Sequence, residues 1–210
     1  MEETRMAPQG ARRATAFSCL AFLAVSVQAA SISEIFYDAP GSDGGNTFIE
    51  LTGRPGETLD GLRLIGVNGS NGSDYLVIEL SGTMPADGVL LIADGSEDSS
   101  AIHGARLYTR ADLQNGPDSL QLRRGDRVID AVGYGDFSNA VFAGFGTPAV
   151  DVAAGKSLTR ITWTGDNASD YVEADPTPGV AAPAPVPLPG ALWLFASGLL
   201  GLAIRAGSES

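Results

Sequence analysis

Thiols are almost missing from this chain: its one cysteine, Cys19, lies inside the N-terminal apolar run. With that run removed no disulfide can form, and the fold must be held by its core alone. Histidine is equally scarce, with His103 alone. A zinc site draws on several His or Cys ligands, so none is expected. A Ser-His-Asp arrangement would have to use His103, yet no Gly-x-Ser-x-Gly elbow accompanies it. His103 is therefore read as a surface loop residue. A phosphate-binding glycine loop is also absent, because Gly133-Tyr134-Gly135 lacks the third glycine and a following helix. Basic residues are outnumbered, and the net charge is −12. The excess sits in the middle of the chain, since Arg5, Arg12 and Arg13 balance the start and Arg205 offsets Glu209 at the end. An acidic body disfavours the phosphate backbone, so no nucleic-acid partner is expected. No catalytic residue is singled out, and the chain is read as not an enzyme.

What is present is enough for one domain of ordinary size: 210 residues, 44% of them hydrophobic. The long apolar runs lie at the two ends. Residues 1–29 read as a secretory signal peptide. Arg12 and Arg13 supply the basic region, Ala14 to Val27 the apolar stretch, and Val27-Gln28-Ala29 the small residues before cleavage, with Ala30 as the alternative site. Met6 is an alternative start, because Glu2 and Glu3 fit a basic region badly. Residues 177–189 are a Pro-rich linker, and repeated proline makes it a semi-rigid spacer. An apolar run follows from Gly190 to Ile204, closed by Arg205 and a polar tail at 206–210. As a helix the run would span about 24 Å, short of a bilayer core of about 30 Å. A contact of 190–204 with the membrane, transient or permanent, is expected.

Between these ends the pattern is short apolar runs with Gly, Pro, Asn and Asp between them, and 27 glycines punctuate it. Strands are predicted at 32–37, 47–51, 62–67, 75–80, 89–93, 119–122, 127–132 and 157–163, with an edge strand at 171–173. Arg124-Gly125-Asp126 between two such runs is a hairpin signal. That turn accounts for the Arg-Gly-Asp tripeptide without a receptor. A short helix is predicted near 98–103 and one irregular strand at 140–143. Helical periodicity does not persist over three turns anywhere in this region, which predicts an all-β sandwich or barrel.

Ile32-Ser33-Glu34-Ile35-Phe36-Tyr37, Phe48-Ile49-Glu50-Leu51 and Leu59-Asp60-Gly61-Leu62 open a series. Gly116-Pro117-Asp118-Ser119-Leu120-Gln121-Leu122, Val128-Ile129-Asp130-Ala131-Val132-Gly133-Tyr134 and Gly155-Lys156-Ser157-Leu158-Thr159-Arg160 complete it. Together, over residues 30–176, they resemble the lamin-tail domain family. The resemblance implies a compact immunoglobulin-like β-sandwich. The nuclear roles of animal lamins do not carry over, because this chain has no coiled-coil heptads.

The tail carries Val186-Pro187-Leu188-Pro189, then Trp193 within the apolar run, then Arg205. Over 186–205 it resembles the PEP-CTERM sorting signal in its Val-Pro-Leu-Pro variant. Leu188 stands where the family has Glu, and Arg205 alone stands for the basic cluster. The resemblance implies processing by an exosortase in a Gram-negative bacterium that makes extracellular polysaccharide, after export through a secretion translocon.

Two acidic loops offer hard oxygen ligands of the kind calcium takes: Asp94, Glu97 and Asp98 in one, Asp166 and Asp170 in the other. Neither has EF-hand spacing, and solvated turns explain them as well. Asp38 and Asp43 in the first loop stand likewise. Glu34, Glu50 and Asp130 fall within predicted strands, where a half-buried charge needs a partner. Arg160 is expected to pair with one of them. Asn68, Asn71 and Asn167 begin Asn-x-Ser sequons, read as chance matches in polar turns.

The sequence thus points to an exported, non-enzymatic interaction module of the cell envelope, cell surface or extracellular matrix, with exopolysaccharide or another surface protein as partner. Two alternatives stand beside it. One is an accessory domain, or a small member, of an extracellular hydrolase or nuclease system. The other is a calcium-stabilised adhesion module. No cofactor besides calcium is implied.

Overall fold

The computed structural model describes residues 30–180. The expected signal peptide at 1–29, the linker from 181, the sorting motif with Trp193 and Arg205, and the apolar run at 190–204 lie outside the described residues. Among the described residues no helix is long and apolar enough to cross a membrane.

The chain is all-β. Ten strands run in the order β1 (Ser31–Phe36), β2 (Phe48–Thr52), β3 (Leu62–Asn68), β4 (Asp74–Glu79), β5 (Val89–Asp94), β6 (Leu107–Thr109), β7 (Asp118–Arg124), β8 (Arg127–Tyr134), β9 (Ser157–Arg160) and β10 (Tyr171–Ala174). They form two sheets, one ordered β10-β9-β1-β2-β5-β6 and the other β4-β3-β7-β8. All pairings are antiparallel except β5 with β6.

Alternation builds the layer between the sheets. Ile32, Ile35, Ile49, Leu51, Leu90 and Ile92 come from the first sheet, and Leu62, Leu64, Leu76, Ile78, Leu120, Leu122 and Val132 from the second. Tyr37 and Tyr134 stack at 4.3 Å between ring centroids, across the two sheets. Offset aromatic pairs of this kind add about 1 kcal/mol beyond their buried area.

Three strands of the larger sheet are buried on both faces. β1 and β5 have no exposed residue, and β2 has one half-buried end. On their outer face Phe36, Phe48, Ala39 and Leu91 form a second apolar cluster, covered by Ile102 and Ala105. The four-stranded sheet is covered over part of its outer face by residues 137–145. There Ala143 N donates to Ser119 Oγ and Gln121 Nε2 donates to Ala143 O, at 3.1 and 2.6 Å.

The hairpin at 124–127 has the predicted form. Arg124 pairs with Arg127, and Gly125 takes a φ of 59°, the positive φ that suits the first central position of a two-residue turn. Other expectations fail. Residues 98–103 form turns instead of a helix, with Ser99 N and Ser100 N bonded back to Ser96 O. Residues 140–143 form no strand: Ala140 N and Val141 N bond to Phe137 O and Gly69 O, and Ala143 bonds to the side chains of Ser119 and Gln121 on β7. The strand predicted over 157–163 ends at Arg160, where the chain turns aside into one helical turn, α1 (Asn167–Asp170).

Candidate functional site

Three polar centres merit comparison with the residues singled out from the sequence. The first surrounds Arg160, which is 4% exposed. It leaves β9 and crosses the core to β8 of the other sheet. Its Nη2 lies 2.8 Å from both Asp130 oxygens, and its Nε donates to Ile32 O at 2.8 Å. Nη1 reaches Asp170 Oδ2 at 3.4 Å. The guanidinium is held between the rings of Trp163 and Tyr171, at 4.2 and 4.4 Å from their centroids. Asp130 also accepts from Ile32 N and Ala131 N. Burial pushes its carboxyl up, and Arg160 with the two backbone donors pulls it back. The pair joins β9 of one sheet to β8 of the other. Of the three carboxylates proposed for Arg160, the structure places Asp130 there and takes Glu34 and Glu50 elsewhere.

The calcium candidates divide. Asp170 is buried in the Arg160 cluster, and its Oδ1 accepts from Thr164 N and Oγ1 at 2.5 and 2.7 Å. Asp94 is also buried, with Oδ2 accepting from Gly45 N and Oδ1 from Ala111 N. Asp166 accepts from Thr147 and Ser169, and these bonds hold its carboxyl below the usual range. Glu97 and Asp98 are exposed, apart from Asp94. Among the described residues no three His, Cys, Asp or Glu side chains are grouped as a metal site would need. His103 is exposed. Asp38 is half-buried, and Asp43 Oδ1 closes its loop by accepting from Ala39 N at 2.8 Å.

The second centre is formed by Glu34 on β1 and Glu50 on β2. They are cross-strand partners, 1% and 0% exposed, on the outer face of the larger sheet. A bulge between Ile32 and Glu34 brings Ser33 onto Glu50, with Oγ donating to Oε1 at 2.9 Å. The other donors come from the far end of the domain. Thr177 N and Oγ1 donate to Glu34 at 2.9 and 2.6 Å, and Gly179 N donates to Glu50 Oε2 at 2.9 Å. The first residues of the Pro-rich stretch therefore lie fastened across the sheet. Among the described residues neither glutamate has an ion-pair partner. Glu50 is pushed up from its ordinary value to about 7. Burial is the main cause, the charges of Glu34 and Asp87 add to it, and the Ser33 and Gly179 donors oppose it.

The third centre lies at one end of the sandwich. Two open clefts of about 430 and 440 Å³ share Gln114. Asn68, Ser138 and Asn139 line one, and Asp112, Asn115 and Arg110 line the other. Asp118 lies buried at the first, with Oδ1 accepting from Gly69 N at 2.6 Å, and burial raises its carboxyl. Tyr75, beside it in the second, is pushed up to about 12 by burial. The sequence reading missed these residues, because amides and hydroxyls in loops carry no spacing that marks a cleft.

It also missed Asn167. The side chain of this buried residue stands where another strand would continue the smaller sheet. Its Oδ1 accepts from Gly133 N and Phe145 N, and its Nδ2 donates to Ala131 O.

No known family model matches the chain, and neither a curated protein nor a solved structure does.

Proposed function

We propose that this chain is an exported, non-enzymatic interaction module: an immunoglobulin-like sandwich of the lamin-tail type, held or delivered at the cell envelope by its tail. The signal peptide at 1–29 would send it through the secretion translocon. The Val186-Pro187-Leu188-Pro189 motif, the apolar run and Arg205 would hand it to an exosortase of the PEP-CTERM type. The observation that carries this reading is the fastening of Thr177 and Gly179 to Glu34 and Glu50. The body grips the start of the Pro-rich stretch against its own sheet, as the root of a tether requires. The acidic charge and the polar clefts at one end suit a wet, polar partner such as exopolysaccharide or another surface protein.

Intact-mass measurement of the protein from envelope and medium fractions tests the reading. The expected mass lacks residues 1–29 and everything beyond the Pro-rich linker. A chain retaining its C-terminus in the inner membrane would replace sorting with a plain anchor. A cytoplasmic chain that keeps its N-terminus would overturn export altogether.

A further inference from the structure

We infer that residues 175–180 form a pH-dependent strap: it is clipped to the outer face of the larger sheet while Glu50 is protonated, and it loosens when Glu50 ionises. The clip is built from few parts. Two buried carboxylates face each other in register on β1 and β2, and three donors from Thr177 and Gly179 close over them. Like charges directly opposite on paired strands repel. Here the pair is also out of water, where repulsion is poorly screened.

The acidic groups around Glu50 press the same way, and the cation on one of them, Arg106 at 3.6 Å from Asp87, is exposed. Glu34 faces it from β1, and Asp87 approaches from the turn before β5. The strap itself brings Asp175, which is engaged with Lys156 at 2.6 Å. That bridge is exposed and belongs to the root of the strap, away from the two glutamates. The Ser33 hydroxyl and the Gly179 N–H favour the ionised form but do not outweigh burial.

The linkage is direct. With the strap closed, Glu50 holds its proton up to about pH 7. With the strap lifted, Glu50 loses the Gly179 donor but regains water, and because burial is the larger cause its carboxyl falls back toward its ordinary value of 4.5. Proton loss therefore favours the lifted state. Between those two pH values the lifted-to-closed ratio rises by up to about three-hundredfold, and above pH 7 it levels off. Gly179 also packs near Leu91, where a Cβ would lie 3.7 Å from the leucine methyl. Lifting the strap would thus uncover the carboxylates and part of an apolar face together.

Carboxyl-carbon and amide NMR on the full-length chain from pH 4 to 9 tests this. Glu50 should titrate near 7, and the Thr177 and Gly179 amide shifts should move toward free-peptide positions with the same midpoint. Glu50→Gln should hold both amides in their closed positions across the range. Glu34→Gln should lower the Glu50 midpoint. Bonded amides that persist while Glu50 ionises would overturn the proposal, as would a Glu50 midpoint near 4.5. The wild-type titration alone decides the matter if a variant fails to fold. The result is independent of how the tail is processed, so failure here and failure of the sorting reading are separable.

Discussion

Arg160 and Asp130 show what a buried charge demands. Each is almost wholly withdrawn from water, and each is stabilised by the other and by backbone groups of β1, with Asp170 at 3.4 Å adding to Arg160 and Ala131 N to Asp130. Removing Asp130 leaves the buried Arg160 with only its longer contact to Asp170 as a counter-charge. Asp130→Ala is expected to destabilise the domain by about 3–5 kcal/mol, read from denaturant unfolding. Glu50 gives a prediction of the opposite kind. Its folded-state value is raised, so between about pH 4.5 and about 7 the folded chain binds more protons than the unfolded chain. Stability must therefore fall as pH rises through that window and level off above it. The loss is bounded at about 3 kcal/mol, and less if the strap releases first. Glu50→Gln should remove this slope, giving a variant more stable than the native chain at pH 8 and similar to it at pH 5. Equal pH profiles for the two proteins would refute the assignment.

Among the elements, the strands were legible where apolar residues alternate or run in short blocks. β1, β3, β5, β7 and β8 all fall within a residue or two of the runs that announce them. Elements whose existence depends on a distant partner were not legible. β6 is only Leu107-Tyr108-Thr109 and exists because β5 offers it a parallel edge. Residues 140–143 have the composition of a strand, but their partners are scattered: Phe137 O, Gly69 O and the side chains of Ser119 and Gln121. Asn167 is the clearest case, because a single amide in a polar turn gives no sign that it will cap an edge. It occupies three backbone groups near the end of β8 and its covering loop. Asn167→Ala should cost about 2–4 kcal/mol and speed hydrogen exchange at Gly133 N. An unchanged exchange rate there would show that the cap contributes nothing.

For the whole molecule, the sequence conveyed the all-β class, and the two-sheet order came from the structure. The Arg160–Asp130 pairing was open to argument from charge in a strand. The destination of Glu34 and Glu50 was not, because their partners lie more than a hundred residues away in a stretch read as linker. Most carboxylates weighed as calcium ligands turn out to be occupied by N–H and O–H donors of the fold. Chelation should accordingly shift the melting temperature by less than about 1 °C, whereas loss of a calcium ion that binds only the folded state would lower it. A clear drop on chelation would restore the calcium-stabilised reading.

The capped edge of β8 has a consequence for how this protein can change over generations. Gly133 has no room for a side chain, because a Cβ would overlap the Phe142 ring, and a Cβ on Gly144 would overlap Asn167 Oδ1. Asn167 is held in turn by β8 on one side and by the covering loop on the other. A Cβ at Gly144 would meet both Asn167 and Gly133 N, and loss of the Asn167 amide would free Gly133 N, so these positions constrain one another. Mutational drift should pass readily through the polar loops around them and leave this triad as a fixed point.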